Sequence, residues 1–320
     1  MFDVVALGEL LIDFVQVDTS EEGNPIFQAN PGGAPCNVLS MLNKLGLKTA
    51  FTGKVGDDIF GYRLKSTLDK ININTDNLIF DKDTKTTLAF VETDEFGDRN
   101  FSFFRNPGAD MMLIEEEVNL NIIKSCKAFH FGSLSMTHTK PEKATKTAVN
   151  IARENGATIS FDPNLRPPLW NDINDAREKI DYGCSVSDVV KIEENELCFL
   201  VECDNKKEAT ELFRKRYPNI KLLTVTAGRN GSKAYFKHLT AEKPTFLNVK
   251  TIDTTGAGDT FCACCLDWYI KNKDNENICK VDLENMLIFA NAAASIVTTR
   301  KGALLSMPEI KEIERLIKTL

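Results

Sequence analysis

No run of 18 consecutive apolar residues occurs in this chain, which excludes a membrane-spanning helix. Basic residues are in deficit: 39 Lys plus Arg stand against 46 Asp plus Glu, a net charge of −7, the wrong sign for gripping a nucleic-acid backbone. Histidine is scarce, at three residues, and neither a His-Glu-x-x-His motif nor a Cys or His pair with zinc-ligand spacing is present. The Gly-x-x-x-x-Gly-Lys-Ser/Thr loop, a Gly-x-Gly-x-x-Gly turn after the first strand and the Gly-x-Ser-x-Gly elbow are all missing, so the commonest nucleotide and hydrolase motifs give no lead. No linker rich in Pro, Gly or Ser divides the chain, and no internal repeat is evident. Asp3 stands where a secretory leader needs basic residues, and nine scattered cysteines are an odd count; both features predict a cytoplasmic location.

What remains is a chain of 320 residues, 42% apolar and 27% charged, long enough to bury a large core and suited to a small-molecule partner. Its segments alternate between short apolar strands and helical periodicity. Residues 128–132 read as a strand, and Pro141 opens a helix with Ala144, Ala148, Ile151 and Ala152 on one face. Gly156 ends that helix and residues 158–161 begin the next strand. Strands over 186–192 and 222–226 and helices over about 257–272 and 282–299 continue the pattern. Such alternation predicts a parallel sheet covered on both faces, with ligands beyond the carboxyl ends of its strands. Residues 86–92 and 100–104 depart from it, reading as a hairpin that could join residues 12–17 in a small accessory sheet.

The segment Asp253-Thr254-Thr255-Gly256-Ala257-Gly258-Asp259 precedes an apolar helical stretch. Free peptide N–H groups of Gly256, Ala257 and Gly258 at a helix start would hold a phosphoryl group, and Asp259 beside them is a candidate general base. The same position suits a helix N-cap, which leaves both roles open for Asp259. Pro31-Gly32-Gly33-Ala34-Pro35-Cys36-Asn37 offers bare backbone and an amide suited to polyol hydroxyls. Asp13, Arg105 and Arg166 are polar groups at strand ends, able to fix hydroxyls or phosphate oxygens or simply to stay solvated. Cys262, Cys264 and Cys265 read as core, and His130, between two Phe, as structural.

Together, the glycine pair near residue 32 and Asp-Thr-Thr-Gly-Ala-Gly-Asp near residue 256 resemble the two signature regions of the ribokinase-like (phosphofructokinase-B type) carbohydrate kinases. Within that family Gly53-Lys54-Val55-Gly56-Asp57-Asp58, Phe161-Asp162-Pro163-Asn164-Leu165-Arg166-Pro167-Pro168-Leu169-Trp170, Asp188-Val189-Val190-Lys191-Ile192 and Thr299-Arg300-Lys301-Gly302-Ala303 resemble the fructokinases. The resemblance implies one αβα-sandwich kinase domain over 1–320, with a β lid from segments about 11–30 and 86–106. It also implies ATP as donor, fructose as acceptor, Mg2+, K+ as monovalent activator, and a homodimer paired through the lid.

By matching motifs, Asp259 would be the base, Gly256–Gly258 the anion hole, and Arg166 a neighbour of the transferred phosphate. Asp13, Gly32, Gly33 and Asn37 would bind the sugar, with Phe103 and Arg105 closing over it. Lys191, Thr226, Gly228 and Gly231 would border the nucleotide and Asn291 the adenine. Asp253, Thr255, Val297, Arg300, Gly302 and Ser306 map onto the monovalent-cation loop. Glu196 matches the acidic position that holds magnesium through water, whereas Glu193 replaces a frequent Asn. A 2-keto-3-deoxygluconate or nucleoside kinase, and a non-catalytic sugar sensor, are the alternatives.

Overall fold

The computed structural model describes residues 1–93, 99–247 and 249–319. The chain begins with β1 (Val4–Leu7), β2 (Leu11–Thr19), β3 (Pro25–Gly32), α1 (Ala34–Lys44), β4 (Thr49–Gly56), α2 (Ile59–Lys70), β5 (Asn74–Asp81), β6 (Leu88–Thr93) and β7 (Arg99–Phe104). It continues through α3 (Leu120–Lys124), β8 (Ala128–Gly132), α4 (Thr139–Glu154), β9 (Thr158–Asp162), α5 (Ile173–Val186), β10 (Val189–Glu193), α6 (Glu194–Val201) and α7 (Lys206–Arg216). Last come β11 (Leu222–Thr226), β12 (Ser232–Phe236), β13 (Leu239–Lys243), α8 (Ala257–Asn272), α9 (Lys280–Val297) and α10 (Ile310–Ile317).

Nine strands form one sheet in the order β13-β12-β11-β10-β9-β8-β1-β4-β5, parallel except at β12 and β13. Successive residues of β1 feed opposite cores: Val4 and Ala6 pack with α1, α8 and α9, while Val5 and Leu7 pack with α4, α5 and α7. That two-sided burial is why β1 reads as a continuous apolar run, and it produces the expected three-layer αβα sandwich. The order runs outward from β1 in both directions, through β4 to β5 and through β8 to β13, so a crevice opens at its carboxyl end.

β2 leaves that end and enters a second, four-stranded sheet of order β3-β2-β6-β7. The expected accessory sheet therefore exists, with β3 added, and the turn expected over 93–99 lies largely outside the described residues. Three boundaries differ from expectation for local reasons. β10 starts at Val189 because Val186 closes α5, whose Gly183 carbonyl accepts the Ser187 hydroxyl at 2.6 Å. α9 starts at Lys280 because the Asp282 carboxylate accepts the Cys279 N–H at 2.8 Å, and α4 starts at Thr139, ahead of Pro141, on a His138 cap. Cys262, Cys264 and Cys265 are core residues, and His130 is buried with Nδ1 3.0 Å from the Ser160 hydroxyl. Among the described residues no helix is long and apolar enough to cross a membrane.

Candidate active site

Segments following β1, β8, β9 and β10 converge on a cavity of about 380 Å³. Glu9 comes from beyond β1, Leu134 from beyond β8, Asn164 and Arg166 from beyond β9, and Lys191, Glu193 and Glu196 from β10 and α6. The small sheet contributes Asp13, Phe103 and, just past β7, Arg105, while α1 supplies Asn37. Gly256, Gly258 and Asp259 close the cavity from the start of α8.

The cap of α8 is Gly256, at φ 82°, with no side-chain cap, so Asp259 is the third residue of the helix and not its N-cap. A Cβ on Gly256 would come within 2.6 Å of the Ala303 Cβ, so both conformation and space demand glycine there. The amides of Gly256 and Gly258 have no acceptor among the described residues. Ala257 differs from expectation: its N–H closes the turn on the Thr254 carbonyl at 3.3 Å. The Asp259 carboxylate is 9% exposed and accepts the Asn37 Nδ2–H at 2.8 Å. Burial, reinforced by the charge of Asp162, pushes its pKa up to about 6, against the pull of Asn37, Lys191 and Arg166.

Asn37 is itself buried, and its Oδ1 has no donor, an orphaned acceptor in a residue that lines the cavity. Gly33, at φ 129°, starts α1 without a side-chain cap, and a Cβ there would lie 2.4 Å from the Glu9 carbonyl oxygen. The Glu9 carboxylate substitutes for the cap, accepting the Ala34 N–H at 2.8 Å, and burial pushes its pKa up to about 7. Across β2 and β3, Gly32 leaves room for Asp13: a Cβ at Gly32 would fall 2.3 Å from an Asp13 carboxylate oxygen. Arg105 is held at its Nε by Asp110 at 2.7 Å and at Nη1 by the Thr137 hydroxyl at 2.9 Å, so its guanidinium is a fixed wall.

On the opposite wall the Lys191 ammonium lies 3.0 and 3.2 Å from the two Asp162 oxygens, both residues being buried. Glu196 accepts the Leu165 N–H at 2.7 Å and the Glu193 N–H at 2.9 Å, and burial raises its pKa. With one hydrogen bond already on each oxygen, Glu196 suits a hydrated cation better than a bare one. Arg166 is exposed at the mouth, its Nη1 donating to the Leu165 carbonyl at 3.1 Å.

The residues expected to form the cation loop join two distant parts of the chain. Asp253, 5% exposed, accepts the Thr255 N–H at 2.7 Å and the Gly302 N–H at 3.1 Å, tying the start of α8 to the chain beyond α9. The Arg300 guanidinium is turned away to Glu312 and the Ser306 carbonyl, and the Ser306 hydroxyl donates to the Lys301 carbonyl at 2.8 Å. Val297 is the last, buried residue of α9. Among the described residues there is no cluster of three or more His, Cys, Asp or Glu that could hold a metal ion.

Thr226 ends β11 in register with Glu193, which places the Gly228–Gly231 turn beside the cavity mouth. A Cβ on Gly231 would sit 2.2 Å from the Lys243 carbonyl oxygen, which explains that glycine. Asn291, expected beside the adenine, has its amide anchored: Nδ2 donates to the Lys243 and Pro244 carbonyls at 3.3 and 3.2 Å and Oδ1 accepts from Ser232 at 3.0 Å, which pins α9 to β12 and β13. Sequence reasoning missed Glu9 and Asp110. The available signal for Glu9 was a carboxylate set between the apolar runs 4–7 and 10–12.

A buried carboxylate thus stands beside open helix-terminal amides at the carboxyl edge of an αβα sheet, an arrangement suited to phosphoryl transfer. The family model "pfkB family carbohydrate kinase" matches residues 1–310, and the chain belongs to that family. It is 40% identical over 310 residues to probable fructokinase-2 of Arabidopsis thaliana, covering 95% of this chain and 92% of that protein. Among solved structures, fructokinase with bound ATP from Xylella fastidiosa superposes with a TM-score of 0.88 at 30% identity, covering 100% of this chain and 99% of that one. A double mutant of Vibrio cholerae fructokinase bound to fructose, ADP and potassium ion gives 0.86 at 28% identity, covering 99% and 98%. The protein is a fructokinase-like sugar kinase.

Proposed function

We propose that the chain transfers the γ-phosphate of ATP to a hydroxyl of fructose, giving fructose 6-phosphate. The observation that carries this reading is the placement of Asp259, buried in the cavity wall, hydrogen-bonded to Asn37 and next to the open amides of Gly256 and Gly258. The carboxylate takes the proton of the acceptor hydroxyl as that oxygen attacks phosphorus in line. The two amides and the start of α8 stabilise the charge on the transferred group, and Arg166 adds its own at the mouth. The orphaned Asn37 Oδ1 accepts a sugar hydroxyl, and Asp13 holds others. At this end Asp13 lines the cavity and the Arg105 charge is committed to Asp110, which favours a neutral sugar over a sugar acid.

Thr226, Gly228 and Gly231 border ATP, and Lys191 faces its phosphates from the cavity wall. Mg2+, which neutralises charge on the phosphates, is held through water by Glu196, with Glu193 nearby. K+ would be held at the junction of Asp253, Thr255, Val297, Arg300, Gly302 and Ser306, largely by backbone oxygens of that segment, where Asp253 ties the two chain stretches together. The small sheet, over about 11–30 and 86–106, acts as a lid of the single kinase domain, closing Phe103 and Arg105 on the sugar. Its exposed Ile26, Phe27 and Phe104 are the surface through which two copies pair. A coupled ADP-release assay over a sugar panel, with and without potassium, tests the reading: fructose must lead, and Asp259→Asn must cut turnover by roughly 10²-fold or more in a folded protein.

A further inference from the structure

α8 carries Asp259 in its first turn and a second cavity at its far end. A rise of about 1.5 Å per residue separates Asp259 from Lys273 by about 20 Å along the helix. This cavity, also about 380 Å³, lies among the end of α7, the start of β11, the end of β12 and the last turn of α8. Four of the side chains lining it are cations, Arg214, Lys221, Lys237 and Lys273, and the carboxylates of Asp188 and Asp274, which act on Tyr269, stand outside its lining, although the chain as a whole carries −7. Lys221 pairs with Asp188 at 3.0 Å, and Lys237 donates to the Asn275 carbonyl at 3.3 Å. Arg214 and Lys273 have no ion pair among the described residues, Arg214 resting 4.5 Å over the Tyr235 ring.

A second observation points the same way. Tyr269 is 2% exposed and lines the cavity, and its hydroxyl meets no hydrogen-bond partner among the described residues. Its ring is fixed edge-on to Phe236 at 6.3 Å. The ring is packed away and the hydroxyl edge is left open to the cavity, where it can donate to a ligand. Unpaired cations beside a phenol hydroxyl, over an apolar floor that includes Leu223 and Phe236, match an anion carrying a carbon skeleton.

We propose that this cavity is a second ligand site, for a small organic phosphate, with Arg214, Lys273 and the Tyr269 hydroxyl receiving the phosphoryl group. Two sources share that chemistry, a phosphorylated sugar and a nucleoside monophosphate. Fructose 6-phosphate, AMP and inorganic phosphate are therefore added separately to the full-length protein, with binding read by titration calorimetry and by hydrogen exchange. The expected result is protection of 213–223 and 269–273 by one of the organic probes, which identifies the source. Arg214→Gln combined with Lys273→Gln weakens that binding about tenfold or more, while kcat and protection around Asp259 stay unchanged. Tyr269→Phe keeps the ring, so the fold survives, and it weakens the same binding several-fold. No protection of these segments by any probe at millimolar concentration overturns the proposal. So does binding unaltered in both variants, or inorganic phosphate binding more tightly than either organic probe.

Discussion

Asn37 Nδ2 donates to Asp259 Oδ2 at 2.8 Å, joining the first turns of α1 and α8 across 222 positions of sequence. The two signature segments thus meet as donor and acceptor. Because this bond favours the ionised form, its loss must raise the Asp259 pKa further above about 6. Asn37→Ala is expected to move the acid limb of the kcat/KM profile to higher pH, and to weaken sugar binding through the lost Oδ1. A variant whose acid limb stays at the wild-type position would separate Asn37 from the base.

The same pKa links activity and stability. A base that titrates near pH 6 makes kcat/KM rise through that pH and level off above it. The unfolded Asp titrates near 3.8, so between the two values the folded state binds more protons, and stability falls as pH rises through the window. Asp259→Asn should lose roughly 10²- to 10⁴-fold in turnover or more. Above pH 6 it should nonetheless unfold no more easily than wild type, because a neutral amide replaces a buried charge. Thermal melts of both proteins at pH 5 and pH 8 check the sign: the gain from Asn is larger at pH 8.

Glu9 supports the site from behind. Its carboxylate takes the Ala34 N–H where Gly33 has no side chain to give, so Glu9→Ala removes the cap of α1 and should cost about 1–2 kcal/mol. Glu9→Gln keeps an acceptor oxygen and should recover most of that. Since burial raises the Glu9 pKa to about 7, wild type loses stability as pH rises through 7, and the Gln variant should lack that slope. Denaturant midpoints of the three proteins at pH 6 and pH 8 would show it; equal losses for Ala and Gln would count against the capping role.

Much of this architecture was readable from local pattern. β8 and β11 begin and end where the apolar runs do, and α8 matches the stretch after Gly258, because two-sided burial leaves a continuous apolar signature. The Gly-Ala-Gly-Asp segment identified the helix start but could not choose between cap and base. That choice depends on Asn37, far away in sequence, and on the φ of Gly256. The anchoring of Asn291 was hidden for the converse reason: its partners are the Lys243 and Pro244 carbonyls and Ser232, and contacts formed only by the fold leave no local trace. Glu9 was invisible as a cap because its target lies 25 residues on, in another element.

Lys191 and Asp162 form a buried ion pair that acts on Asp259. The two act in opposite directions on Asp259, Asp162 raising its pKa and Lys191 lowering it. Lys191→Ala would leave Asp162 buried without its cation, a loss of roughly 3–5 kcal/mol for a pair of this kind. It would also remove the cation opposing Asp162, so the activity that survives should show an acid limb shifted above that of wild type. Lys191→Met fills the space but restores no charge and should reproduce the pH shift with less loss from packing. Asp162→Asn should move the limb the other way, towards lower pH. The paired pH profiles are the decisive measurement: shifts of the same sign in the Lys191 and Asp162 variants would mean that this ion pair does not tune the carboxylate.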